Sequence, residues 1–126
     1  MAVEKIVFKE MSHLDYLFTL HIKKLREAKG WSQQDLSKKM GVTLSFVGNV
    51  ESFIQRHKYG IRHLTLLAKV FKFKSMSKLF DFPTPEHDMI RLTLKVAPKK
   101  KKDGTPSKGK DVEVIKIEPI EKSGVE

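Results

Sequence analysis

Between Ser12 and Ala28 the apolar residues Leu14, Leu17, Phe18, Ile22 and Leu25 recur at three- and four-residue intervals, which predicts one face of a helix. Ser12 and Asp15 form an S-x-x-D start of the capping-box kind, and Gly30 is placed to stop the helix. Ser32 then caps a second helix of about two turns, running from Gln33 through Met40 with Leu36 and Met40 on one face, and Gly41 ends it. A third helix is predicted from Leu44 to Ser52, capped by Thr43. Phe46, Val47 and Val50 face inward there, while Ser45, Gly48, Asn49 and Ser52 face out. A polar, basic loop over 53–60 leads to a fourth stripe at Ile61, Leu64, Leu67, Ala68 and Phe71, and Ser75 caps a short fifth helix holding Met76, Leu79 and Phe80.

Pro83 and Pro85 break the helical pattern, and the period then changes from three or four to two. Ile90, Leu92, Leu94 and Val96 alternate with Arg91, Thr93 and Lys95, as in a half-buried strand. Val112 and Val114, then Ile115 and Ile117, suggest a second strand. The stretch between them, 98–110, is rich in Lys, Gly and Pro and lacks apolar anchors, so it reads as a mobile hairpin loop. At the other end, Val3, Ile6, Val7 and Phe8 could add a strand. The expected organisation is an N-terminal arm over 1–11, a helical domain over 12–82 and an extension over 83–126 that is a β-hairpin or partly disordered.

The chain of 126 residues is close to the size of a single domain. Lys and Arg number 25 against 15 Asp and Glu, a formal charge of +10, which suits a polyanionic partner such as nucleic acid or an anionic membrane. Fifteen of the basic and seven of the acidic residues lie at or before Phe82, so the basic excess sits with the helices. No run approaches the roughly 18 apolar residues a membrane span needs. Glu4 and Glu10 stand where a signal peptide would carry its apolar segment, so a soluble, cytoplasmic protein is expected. Cysteine is absent, which excludes disulfides and thiolate chemistry.

Two short helices joined at Gly41, preceded by a long helix and followed by two more, would carry the third helix across the front of a basic bundle, a shape the major groove admits. The chain resembles the Xre-like, Cro/repressor helix-turn-helix family through Ile22-Lys23-Lys24-Leu25-Arg26, Ser32-Gln33-Gln34-Asp35-Leu36, Met40-Gly41-Val42-Thr43, Phe46-Val47 and Val50-Glu51. That resemblance covers about residues 14–82 and implies a mainly α, five-helix, lambda-repressor-like bundle. It also implies base contacts from Gln33, Leu44, Ser45, Gly48 and Asn49, with Asn49 matched to adenine and Leu44 to a thymine methyl. Phosphate contacts are implied for Gln34, Thr43, Ser52, Arg56 and Lys58. Three positions depart from the pattern. Ser37 stands where the family prefers Ala, Gly48 weakens the recognition helix, and no Arg lies between Leu44 and Ser52.

The family's habit of binding paired half-sites as a dimer implies half-sites about one helical turn, ~34 Å, apart. The expected function is sequence-specific binding of double-stranded DNA by a transcriptional regulator, a repressor on a palindromic operator. The alternative is an antitoxin or co-regulator that meets DNA through its helices and a partner protein through the extension. No cofactor is implied. His13, His21, His57, His63 and His87 form no H-x-x-x-H pair and read as structural or surface residues rather than metal ligands. Trp31 fits the staple position before the Ser32 cap better than a base-stacking role. Lys99 to Lys102 reads equally as a nucleic-acid arm or localisation signal and as a solvated hairpin tip. No G-x-S-x-G, P-loop or H-E-x-x-H occurs, so an enzyme is not expected.

Overall fold

A computed structural model describes residues 4–100 and 106–120, with side chains for 4–99 and 110–120. The elements run β1 (Lys5–Ser12), α1 (His13–Ala28), α2 (Gln33–Met40), α3 (Phe46–Ser52), α4 (Ile61–Val70), a 3-10 helix (Met76–Phe80), β2 (Met89–Lys100) and β3 (Pro106–Pro119). They fall into two compact units, a helical one over 13–86 and a sheet built from the segments on either side of it. Among the described residues no helix is long and apolar enough to cross a membrane.

In the helical unit, local chemistry sets most of the boundaries. Ser32 and Asp35 form a reciprocal capping box: Asp35 N–H donates to Ser32 Oγ at 3.0 Å and Ser32 N–H to Asp35 Oδ2 at 2.8 Å. The Ser32 backbone N–H first, then the Ser32 side chain, hold the Asp35 carboxyl below its usual range, with nearby Lys39 and Lys38 adding to the effect. α1 and α2 both end in Schellman turns, with Gly30 and Gly41 at positive φ. Trp31 N–H bonds Arg26 O at 3.2 Å, and Val42 N–H bonds Ser37 O at 3.1 Å. Lys72 takes the same left-handed conformation after α4, where Phe73 N–H bonds Ala68 O at 2.8 Å.

Four α-helices and one 3-10 helix replace the five helices expected. The segment after Ser75 is only five residues long, and three-residue hydrogen-bond spacing closes a turn in fewer residues than an α-helix needs. α3 also begins two residues later than predicted. Phe46 N–H bonds Thr43 O at 3.0 Å, so Leu44 and Ser45 belong to a turn, and Thr43 caps nothing with its side chain. Ser45, the N-cap residue, is itself already in the αR region and makes no side-chain cap bond. The missing cap comes from α2: Ser37, fully buried, accepts from Val47 N–H through Oγ at 3.0 Å. The departure at Ser37 is therefore a hydrogen bond across the two helices, which an Ala would lack.

Phe18, Ile22, Leu36, Val47, Val50, Leu67 and Leu79 meet in one core, and each fully buried aliphatic side chain contributes about 1.5–3 kcal/mol. Trp31 stacks on Phe71 with centroids 5.4 Å apart, and Lys39 covers the ring at 4.7 Å, so the indole is part of the packing and not a platform for bases. Phe53 follows α3 at φ 64°, a strained position for a bulky residue, held by burial of its ring against Tyr16 at 5.2 Å. Ile61, predicted to continue the apolar stripe, is instead the first residue of α4 and 87% exposed.

The sheet has the order β1-β2-β3, both pairings antiparallel. Opposed residues share a face, so Ile90, Leu92, Leu94 and Val96 of β2 stand beside Met11 and Val7 of β1 and Ile117, Val114 and Val112 of β3. Ile90, Leu92 and Leu94 are fully buried. The opposite face carries cross-strand ion pairs, Arg91 with Glu10 and Lys95 with Glu4, each at 3.1 Å. Thr93 pairs with Lys116 but Leu94 with Val114, which leaves Ile115 as the extra residue of a bulge. The bulge absorbs the slip between Val114 and Ile115, keeping Val112, Val114 and Ile117 on one face. The strands also run into the stretch predicted as loop, β2 to Lys100 and β3 from Pro106, because a second register shift after Pro98 accommodates its missing N–H. The predicted loop's centre, 101–105, and Val3 lie outside the described residues.

Ser37→Ala is expected to lower unfolding stability by about 1–2 kcal/mol in urea denaturation, since it orphans the Val47 N–H in the core. A second prediction concerns His63, whose Nδ1 accepts the Gly60 N–H at 2.8 Å and whose ring lies 4.7 Å from Phe46. Burial first, then Arg62, lowers its pKa from the usual 6.5. A depressed pKa means the unfolded chain binds the proton first, so stability is complete above pH 6.5 and falls as pH drops through the folded-state value. His63→Leu should remove that step from the urea midpoint measured against pH; an unchanged step would place it on another group.

Candidate nucleic-acid interface

A buried ion pair ties the last helix of the helix-turn-helix to α1. Arg26 lies four residues after Ile22, on the buried side of α1, so its charge needs a partner inside the bundle. Its Nε and Nη2 donate to the two carboxylate oxygens of Glu51 at 2.9 and 2.8 Å, a bidentate pair, and Nη1 donates to Trp31 O at 2.7 Å. The two side chains are 8% and 3% exposed. Hydrogen bonding to Glu51 is the largest influence on Arg26 and holds its proton more tightly, outweighing the opposing cost of burial. One guanidinium thus fastens the end of α1, the α1–α2 connection and the last turn of α3.

Glu51 has a further ligand. Gln33, the first residue of α2, reaches across to it, Nε2 donating to Oε1 at 2.9 Å. The same amide lies over Gly48, where an added Cβ would stand 3.0 Å from Gln33 Oε1. Of the residues proposed to contact bases, the fold brings together Gln33 and Gly48. Leu44 and Ser45 lie on the exposed turn before α3, with Leu44 54% exposed, and Asn49 is half-buried on α3. Asn49 N–H bonds Ser45 O at 2.9 Å, the first turn of the α3 ladder.

The residues proposed for phosphates are more scattered. Gln34 is exposed on the first turn of α2 and Thr43 on the connecting turn. The Ser52 hydroxyl is turned back onto its own helix, donating to Asn49 O at 3.0 Å. Arg56 is exposed in the α3–α4 loop, and Lys58 in the same loop sits 3.7 Å from Asp15. His57 packs edge-on to Phe46 at 6.2 Å, and His21 Nε2 lies 2.9 Å from Lys78 O. Among the described residues, no group of three or more His, Asp or Glu could hold a metal ion. Sequence reasoning gave neither Arg26 nor Glu51 a role. The available signal was a charge on the buried side of α1, which demands an opposite charge somewhere in the bundle.

A helix of eight residues, a tight turn through Gly41 and a seven-residue helix tied to it by Ser37 and Gln33 define a helix-turn-helix. Residues 22–79 match the family model HTH_3, described as helix-turn-helix. The chain belongs to the Xre/Cro-type helix-turn-helix family of DNA-binding transcription regulators. Among solved structures it is similar to the restriction-modification controller protein C.AhdI from Aeromonas hydrophila, with 31% identity over 54% of this chain and 96% of that one, and a TM-score of 0.44. It is also similar to the N-terminal DNA-binding domain of SinR from Bacillus subtilis, with 28% identity over 53% and 94% of the two chains and a TM-score of 0.44. A hypothetical transcription factor from Neisseria matches at 19% identity over 60% and 85%, with a TM-score of 0.47. No curated protein matches the chain.

Removing one member of a buried pair strands the other's charge, a change that costs about 3–5 kcal/mol. Arg26→Ala and Glu51→Ala are each expected to lose that much in urea denaturation, with the double variant losing less than the sum of the two. Additive losses would show that the pair is not coupled.

Proposed function

We propose that this regulator is a repressor that binds a two-fold symmetric DNA operator as a dimer, with α3 and the turn before it in the major groove of each half-site. The observation that carries the reading is the polar surface that α2 and α3 present together: Gln33, Ser45 and Asn49 around the cleft of Gly48, with exposed Arg56 beyond it. Asn49 pairs with adenine through its amide, Leu44 and Ser45 approach the bases from the turn, and Gln34, Thr43, Ser52, Arg56 and Lys58 meet phosphates. With no Arg from Leu44 to Ser52, the helix favours A·T over G·C positions. Its action is passive, occupying a site near a promoter and needing no cofactor.

Dimerisation is assigned to the sheet. β1 and β3 are edge strands, and Ile6 and Phe8 on β1 and Ile115 on β3 are 53, 61 and 48% exposed, more apolar surface than an edge strand carries without a use. The same surface supports the second reading, in which an antitoxin or co-regulator meets a different protein there.

Selection of binding sites from random duplex DNA with the full-length protein tests both readings. A two-fold symmetric consensus is expected, with a dimer in sedimentation; a lone half-site bound by a monomer would favour the second reading, and salt-sensitive binding without a consensus would sink sequence-specific recognition. On the selected site, Asn49→Ala should lose about 1–3 kcal/mol of discrimination at one base pair per half-site. Arg56→Ala should weaken selected and random DNA alike and flatten the salt dependence.

A further inference from the structure

Resting on the reading of Gln33 as a base-contacting residue, we infer that Glu51 and Gly48 together orient the Gln33 amide, making them specificity-determining positions that act through Gln33 without touching DNA.

A glutamine amide has a donor end and an acceptor end, and on an exposed side chain such as Gln33 only a partner fixes which end points where. Glu51 is locked by the bidentate pair with Arg26, and an ionised carboxylate only accepts, so it admits the Nε2 end of Gln33 at 2.9 Å and repels the Oε1 end. With Nε2 committed to that side, Oε1 must lie over α3, and the space it occupies exists because position 48 has no Cβ. A Cβ there would stand 3.0 Å from Oε1, tighter than nearly all real Cβ contacts, and 3.7 Å from the amide carbon, so the amide would have to give way. The backbone of Gly48 is helical, so positive φ is not the reason for glycine at this position. Glycine is a poorer helix former than alanine, and α3 has only seven residues in which to absorb that deficit.

What remains free on Gln33 is one N–H of Nε2 and the lone pairs of Oε1, a donor beside an acceptor at a set orientation. That is the pattern complementary to the N7 and N6 edge of adenine in the major groove. The Arg26–Glu51 pair therefore has two effects, fastening three segments of the bundle and giving a surface amide a fixed polarity.

The test is site selection from a randomised duplex DNA library by the full-length wild type, Gln33→Ala, Gly48→Ala and the double variant, with thermal unfolding and the side-chain amide NMR signals of Gln33 recorded for the same proteins. Gln33→Ala is expected to lose roughly five- to hundredfold preference at one base pair per half-site. Gly48→Ala should degrade that same base pair, leave the others intact, and add nothing in the Gln33→Ala background. Its midpoint temperature should rise further in the Gln33→Ala background than in the wild type, because the new methyl then meets no amide. The Gln33 amide signals should move toward those of a free side chain. Retention of the Gln33-dependent base pair in Gly48→Ala, or loss of a different one, would overturn the inference and point to direct approach of Gly48 to DNA. If Gln33→Ala alters no base pair, the underlying reading of Gln33 fails, and its assignment as a specificity relay fails with it. The thermal cycle and the amide signals then separate the two causes: a coupled cycle leaves the orienting contact in place and faults only the reading of Gln33, whereas additive midpoints with unmoved signals show that Gly48 and Gln33 do not interact at all.

Discussion

The bidentate pair between Arg26 and Glu51 is the constraint on which the helical unit depends. Two charges that are almost out of solvent are tolerable only when each is paired and hydrogen-bonded. Arg26 meets that condition with Glu51 and the Trp31 carbonyl, and Glu51 with Arg26 and Gln33. The pair buries polar groups where Ile22, Leu36 and Val50 alone would bury hydrocarbon, so it adds geometric definition more than raw stability. Hydrocarbon contacts permit small rotations of α3 against α2, whereas a fork of parallel hydrogen bonds permits very few.

That definition matters because α3 is short. A helix of seven residues has little stability of its own, and its orientation comes from what holds its ends. At the first end, Ser37 of α2 takes the Val47 N–H; at the other, Glu51 is clamped by α1. Between them, Val47 and Val50 anchor the inner face. The outer face, with Asn49 and the cleft at Gly48, is consequently presented by a support that draws on three segments of the chain.

The sheet follows a different logic. Its central strand buries Ile90, Leu92, Leu94 and Val96 on one face, while the face that carries the ion pairs also leaves Ile6 and Phe8 uncovered, and Ile115 is exposed at the bulge. The net positive charge is greater among the helices, whereas exposed apolar side chains occur in both units, Leu44 and Ile61 in the helical one and Ile6, Phe8 and Ile115 on the outer strands.

How much of this was legible depended on distance along the chain. The α1 stripe, the Ser32–Asp35 box and the glycine stops arise from neighbours three to five residues apart, and the strand alternation from neighbours two apart, so the sequence alone determined those elements and the helix-turn-helix family they spell. The slip from Val114 to Ile115 was visible as a pattern, but only pairing with Thr93 and Leu94 made it a bulge. The cap supplied by Ser37, the exposure of Ile61 and the link from Arg26 through Glu51 to Gln33 were decided by tertiary structure. Each depends on partners ten or more residues apart or on which surface happens to be covered. A residue's own propensity carries no information about a donor or acceptor that arrives only when the helices pack.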